Sequence, residues 1–518
     1  MSCLSENAGI LAHNAYGADT KTDFWDSLQT LRIYRIADSF SFNFGVSVPE
    51  SSECEEVVYP HEITDSRLFY LNLKENNQDE YFDTVLLIEG AVVNASVFIN
   101  GHSAATISNT LTGCMIRITG YLKTSNHIFI RFEPNMSGRT EQIHSIKSIR
   151  LPKSRITDIY PRSYINQQKA RILCDIGLVS GDMKTALGGS LRVTILDENR
   201  NEVATVEKKV DSFERNFWKT IRVTVDVEQP HLWNLDDPYR YTLKVEFYSI
   251  DQSLCDTKEI PCGIRQLSIM RYSGKVPNTP TLLINNNPVR ITGLVIHQQD
   301  EMIPKQLKAL GLNAVRVINP YNNAFFDACD REGILVMCEA NLNVPYIRPN
   351  LFSNRKRKAD PLDVPFALLG EMIVRFKHHP SIFCWSTGVR KPYGNTVIGE
   401  FIRSLDDSRA VNCQGDNNFL LSDFFSADDC DLERLNSIET NSYIFENGFF
   451  GVHFRPTLYR QHPFLLCDVD IKQPDIIRKL DIFRYNRRFL GLFLSASDET
   501  DILSYIEQSD LRLGTFHE

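Results

Sequence analysis

The stretch TGLVIHQQDEMIPKQLKALGLNAVRVINPYNNAFFDACDREGILVMCE, Thr292–Glu339, decides the fold. It opens on a short apolar run ending at Ile296, the length of a buried strand rather than a helix. Ile303, Leu307 and Leu310 then stand at i, i+4 and i+7, one face of a helix, and Gly311 follows as a stop. Asn313–Ile318 reads again as strand, Ala324–Glu332 as helix closed by Gly333, and Ile334–Glu339 as strand. Buried strands alternating with amphipathic helices are the signature of a parallel sheet covered by its own crossovers.

Downstream the alternation continues. A helical pattern over Pro365–His379 precedes the strand Ile382–Trp385, and Thr396–Leu405 is again amphipathic. Strands follow at Arg409–Cys413, Leu420–Phe425 and Pro463–Asp468; the helix Asp475–Asn486 and the strand Phe489–Ser495 close the run. Counting from Thr292, that makes eight strands, and the region 271–518 is predicted to be a (β/α)8 TIM barrel. Upstream the period changes to short strands with polar turns. Thr84–Gly90, Ala95–His102, Met115–Leu122 and His127–Pro134 read as separate strands, with Asn100-Gly101 as a tight turn. Residues 31–153 are therefore expected to form a jelly-roll-like β-sandwich of the sugar-binding type, after a lead-in over 1–30. Residues 154–270, with a hairpin around Glu198–Asn201, are expected to form an immunoglobulin-like β-sandwich. Leu232, Trp233 and Tyr241 are assigned to the core of that second sandwich.

Composition narrows the function classes. Of 518 residues, 42% are hydrophobic and 23% charged, which is ordinary for a multidomain globular protein. The net charge of -9 argues against nucleic acid as a partner. No apolar run reaches the roughly 18 residues of a membrane helix, and the opening residues lack the basic-then-apolar order of a secretory signal. The 12 cysteines contain no C-x-x-C pair and several sit inside apolar strands. That pattern predicts reduced thiols, a cytoplasmic location and no cysteine-based metal site.

Motifs along nearly the whole chain resemble the family 2 glycoside hydrolases, the β-galactosidase and β-glucuronidase family. The first sandwich carries VFINGH (Val97–His102) and IRITGYLKTSNHIFIRF (Ile116–Phe132). The second carries HLWNLDDPYRYTLKVEF (His231–Phe247) and CGIRQLSI (Cys262–Ile269). The barrel carries LLINNNPVRITGLVIHQQD (Leu282–Asp300), the stretch from Asn313 to Asn341, HHPSIFCWSTG (His378–Gly388) and PFLLCD. The order and spacing of these motifs support the fold more than any chemistry, because most of the matching positions are architectural.

The resemblance implies a retaining mechanism, which needs two carboxyl groups about 5–5.5 Å apart. It places the acid/base at the glutamate of a Gly-Asn-Glu sequence after the fourth strand. Here that sequence stands as Gly388-Val389-Arg390. Val389 replaces the asparagine that holds the sugar, and Arg390 replaces the proton donor with a group that stays charged at neutral pH. Loss of a general acid costs about 10²–10⁴ in rate. The nucleophile position at the end of strand seven is Asp468, a carboxylate shortened by one methylene. A displacement of about 1 Å can cost about 10²-fold. Asp468 reads equally as a strand-end acid paired with Arg390 or Arg316.

Other implied pocket positions differ too. After strand two the family's Ser-His-Tyr-Pro becomes Ile318-Asn319-Pro320. The asparagine after strand one is Val295, although His297 keeps its place. The glutamate and histidine that bind magnesium in the family become Asn343 and Pro345, so no metal or other cofactor is expected. The platform tryptophan is Ser495. Arg316 and Glu339 remain, either as site residues or as a structural ion pair, and Trp385 is either a binding residue or barrel filler. Cations gather instead: Arg348, Arg355, Lys356, Arg357 and Lys358 after strand three, Arg390 and Lys391 after strand four, and Lys472 after strand seven.

The predicted function is that of a glycosidase-like pseudoenzyme that binds a carbohydrate, an anionic glycan or a protein partner. One alternative is an active hydrolase or transglycosidase acting on a β-glycoside through Asp468 with an altered acid, such as Glu339 through water. Another is a structural assembly subunit, including a homo-oligomer.

Overall fold

The computed structural model describes residues 33–36, 54–56, 61–63, 67–73, 81–132, 141–166, 168–179, 187–213, 218–270, 281–340, 342, 363–388, 395–414, 421–427, 432, 435, 462–485, 489–496, 503 and 506. It shows two leading β-sandwiches and a C-terminal parallel barrel.

The first sandwich is organised by a single strand, Phe82–Ile99. Its first half pairs with Gly113–Arg117 and Glu141–Pro152; its second half pairs with His102–Thr110 and Asn126–Phe132. One strand thus serves both layers, where the sequence predicts two. The bend falls at Gly90, whose φ is 137°. A Cβ built there would lie 2.1 Å from the Gln142 carbonyl oxygen, so only glycine lets the two strands close over the bend. Asn100 and Gly101 form the predicted turn, both at positive φ (51° and 83°).

The second sandwich packs a three-stranded sheet (Arg155–Asn166, Lys169–Val179, Trp218–Glu228) on a four-stranded one. The hairpin predicted around Glu198–Asn201 joins Leu187–Leu196 to Glu202–Phe213. In Tyr241–Ser249, buried and half-buried residues alternate along the strand, as a sheet with one face on the core requires. Tyr241 belongs to this core, but Trp233 does not. It is wholly buried at the base of the barrel, against Ile291 and Phe493, and its Nε1 donates to the Asp330 carbonyl oxygen at 2.9 Å.

The barrel strands, numbered in chain order, are β1 (Ile291–Ile296), β2 (Ala314–Ile318), β3 (Leu335–Glu339), β4 (Ile382–Ser386), β5 (Ala410–Asn412), β6 (Phe425–Ala427), β7 (Phe464–Asp470) and β8 (Phe489–Ser495). The helices between them are α1 (Ile303–Ala309), α2 (Asn323–Glu332), α3 (Asp363–Phe376), α4 (Asn395–Leu405) and α5 (Ile476–Tyr485). Main-chain pairing runs β5-β4-β3-β2-β1-β8-β7-β6, all parallel. Side chains bridge the remaining β5–β6 seam: Ser426 Oγ donates to Asn412 Oδ1 at 3.0 Å, and Asp423 Oδ2 accepts from Val411 N at 2.8 Å. The sequence places strand six at Leu420–Phe425, whereas the paired segment begins at Phe425. Asp423 and Ser422 precede it because their side chains cap β5 and the chain beyond it.

Alternate residues of each strand divide between two cores. Val295, Met337, Phe383, Cys467 and Phe493 fill the barrel interior; Val317, Cys338, Trp385 and Leu466 meet the helices outside. Leu307 of α1 is fully buried in that outer layer, a contribution of about 1.5–3 kcal/mol.

Candidate functional site

The C-terminal ends of barrel strands carry the active site in this architecture, and β2, β3, β4 and β7 converge there. Arg316 on β2 and Glu339 on β3 point inward from adjacent strands and form a two-pronged ion pair. Arg316 Nε and Nη2 donate to the two carboxylate oxygens at 2.9 and 3.0 Å. Both residues are at most 5% exposed. Arg316 Nη1 continues across the mouth to the Cys467 carbonyl oxygen on β7, at 2.6 Å. Burial by itself lowers the Arg316 pKa, but Glu339 and, more weakly, Asp468 reverse this and hold it above its ordinary value.

Two further groups complete the cage around Glu339. Ser386 Oγ at the end of β4 donates to Oε2 at 2.9 Å. Gly388, at φ 64°, lies so close that a Cβ there would stand 2.7 Å from Oε1. Glu339 is therefore a fully partnered carboxyl group, with both oxygens taken by donors.

Asp468 sits at a break in the pairing of β7 with β8, between Leu466 and Val469. Cys467 turns into the barrel and Val469 outward, so the extra residue is presented at the rim, half-buried. It makes no hydrogen bond or ion pair among the described residues, although it lies near enough to Arg316 to act on its charge.

The remaining predicted residues divide. His297, just past β1, is exposed. Asn319 is also exposed, at φ 54°, with its N–H donated to the Glu339 carbonyl oxygen. Trp385 does not face the site: it is wholly buried outside the barrel, and Nε1 donates to Asp406 Oδ2 at 2.7 Å. Strand alternation accounts for this, since Ser386 next to it points inward to Glu339. Val295 fills the barrel interior, and Ser495 ends β8 opposite Asp470. Lys472 is exposed beyond β7. Val389, Arg390, Lys391, Asn343, Pro345 and the cations from Arg348 to Lys358 lie outside the described residues.

Sequence reasoning missed Gln299. It is buried after β1 and accepts from the N–H groups of Tyr321 and Asn322 while Nε2 donates to the Asn319 carbonyl oxygen. Gln299 therefore shapes the loop that carries Asn319. Its only sequence signal is its place two residues after His297.

Asp327, Asp330 and His379 cluster within 4.8 Å at the other end of the barrel. Asp330 is already spent there: Oδ2 meets His379 Nδ1 at 2.6 Å and Oδ1 accepts from Ser381 N at 2.9 Å. The cluster ties α2 to the start of β4.

Two β-sandwiches leading into an eight-stranded parallel barrel match the multidomain architecture of the family 2 glycoside hydrolases. A model of the glycosyl hydrolases family 2 TIM barrel domain matches residues 278–469, and the glycosyl hydrolases family 2 model matches 154–265. The chain belongs to glycoside hydrolase family 2. A beta-galactosidase of Oenococcus oeni is 29% identical over 201 residues, 37% of this chain and 19% of that protein. The beta-galactosidase large subunit of Lactobacillus helveticus is 24% identical over 370 residues, 64% of this chain and 56% of that protein. The chain thus spans less than two thirds of the length of these relatives. Among solved structures, a family 2 member from Bacteroides cellulosilyticus superposes with TM-score 0.71 at 17% identity, covering 90% of this chain and 64% of that one. A β-glucuronidase of Dictyoglomus thermophilum superposes with TM-score 0.66 at 16% identity, covering 93% and 91%. At such identities these likenesses show the fold alone.

Proposed function

We propose that this family 2 chain binds an anionic carbohydrate at the C-terminal end of its barrel without hydrolysing it. The observation that carries this reading is the state of Glu339. With Arg390 at the proton-donor position, Glu339 is the carboxyl group left to serve as acid. Both its oxygens accept from the buried Arg316 guanidinium, and one also from Ser386. A general acid must present its carboxyl group to the substrate, whereas the donors around Glu339 already occupy both its oxygens from the protein side. The cations after strands three and four favour an acidic ligand. The nine cysteines with described side chains are all free, which supports the cytoplasmic reading. Among the described residues no helix is long and apolar enough to cross a membrane.

One observation favours a second reading. Asp468 makes no hydrogen bond or ion pair among the described residues and is available as a nucleophile. Aryl β-galactosides and β-glucuronides separate the two readings, because activated leaving groups need little acid assistance. The expected result is no turnover above background, together with glycan-array binding to acidic sugars that weakens steeply as salt rises. Turnover abolished by Asp468→Ala and spared by Arg390→Ala would establish the second reading instead.

A further inference from the structure

At the opposite end of the barrel, a cleft of about 190 Å³ opens between the second sandwich and the strand N-termini. Its walls come from Arg162 and Ser163 of the strand Arg155–Asn166, from Arg265 and Gln266 of the connection into the barrel, and from Asp407 and Arg409 before β5. Three guanidinium groups thus face one carboxylate.

Two of the three pair with a carboxylate, although Arg162 Nε has no hydrogen bond among the described residues. Arg409 Nη1 pairs with Asp406 at 2.8 Å, and its other nitrogens donate to the carbonyl oxygens of Ile382 and His379. Arg162 pairs with Asp175 at 2.5 Å and Asp407 at 3.1 Å. Arg265 is different. It is only 9% exposed, and its single hydrogen bond runs from Nη2 to the Ile382 carbonyl oxygen, at 2.5 Å. No carboxylate pairs with it among the described residues. Asp406 and Asp330 act on it only from a distance, while burial first and Arg409 second pull its pKa down to about 9. It still carries its charge at neutral pH, with Nε and Nη1 unmatched. Gln266 lines the same cleft, and its side-chain amide likewise has no hydrogen bond among the described residues.

A buried charge without a carboxylate partner is costly, and unmatched guanidinium N–H groups are donors that an oxyanion can satisfy. A cavity of this volume far exceeds the roughly 30 Å³ share of one water. We propose that this cleft is a binding site for a small oxyanion, a phosphate or carboxylate group of a soluble metabolite, held by Arg265 with Gln266 beside it. The site is remote from the strand C-termini, so it stands or falls independently of the glycan-binding reading.

The test titrates the full-length chain with sodium phosphate and, separately, sodium acetate, with ionic strength balanced by sodium chloride. Calorimetry and the unfolding midpoint are the readouts. One or both oxyanions are expected to bind and to raise the midpoint above the chloride control. Phosphate alone identifies a phosphate-bearing ligand and acetate alone a carboxylate. Arg265→Met keeps the packing over Trp233 and should weaken binding at least about tenfold, the loss of one charge-assisted hydrogen bond. Gln266→Glu is isosteric and adds a competing carboxylate to the cleft; it should do the same and decides the matter if Arg265→Met fails to fold. Neither anion acting beyond chloride, or unchanged binding in folded Gln266→Glu protein, overturns the proposal.

Discussion

At the scale of single residues, the barrel mouth is governed by one buried ion pair. Removing Arg316 strands a Glu339 carboxylate that is only 4% exposed. Arg316→Ala is therefore expected to cost about 3–5 kcal/mol in urea unfolding. The double change Arg316→Met with Glu339→Leu should recover most of that loss, because two apolar side chains of similar size need no counter-ion. A single-variant cost under about 1 kcal/mol, the range of exposed pairs, would contradict the burial described. The sequence shows that an arginine and a glutamate end adjacent strands, and it leaves open whether they serve a ligand or each other. Strand alternation brings the two side chains together, and the Ser386 hydroxyl joins them. Asp468 was legible as the end of a strand, whereas its presentation at the rim comes from a pairing irregularity that no residue pattern announces.

Among the elements, the periodic ones were legible and the irregular ones were not. The helices α1 to α5 follow their apolar spacing, and the positive-φ turns at Asn100-Gly101 and Asn285-Asn286 follow their residue types. The long strand Phe82–Ile99 was hidden because Gly90 reads as a turn signal, yet here it bends a strand so that it serves two layers. Gly90→Ala should therefore lower stability by at least about 1–3 kcal/mol, through φ strain and collision with the Gln142 carbonyl. Chemical denaturation checks this, and an unchanged midpoint would mean that the strand runs straight. Trp233 shows the same limit differently. An aromatic in a β-rich segment reads as sandwich core, but the neighbouring domain supplies its hydrogen-bond acceptor.

Over the whole molecule, α3 fastens the first sandwich to the barrel. Glu371 is buried and accepts from the backbone N–H groups of Leu111, Thr112 and Gly113 at 2.8, 2.5 and 3.0 Å. One turn later Arg375 donates to the Thr112 carbonyl oxygen and to Glu89. Beside them His144 of the sandwich stacks on Tyr321, after β2, with ring centroids 3.8 Å apart. Burial, with Arg375 adding to it and Glu89 opposing, lowers the His144 pKa to about 4. A histidine depressed in the folded state stabilises it fully above its free value near 6.5, and that stability is lost as pH falls toward about 4. The stability difference between wild type and His144→Phe, which keeps the stack without the titration, should be flat above pH 6.5 and shift against wild type below it. A pH-independent difference would show that the imidazole is not buried against Tyr321.

The sequence alone determined the order of domains and the alternation that makes the barrel, because each is written in local periodicity. Tertiary structure alone decided that Glu339 is caged, that Trp385 faces away from the site and that Arg265 has no carboxylate partner among the described residues. Each of these depends on which face of a strand meets which distant neighbour, and hence on partners that are not adjacent in the chain.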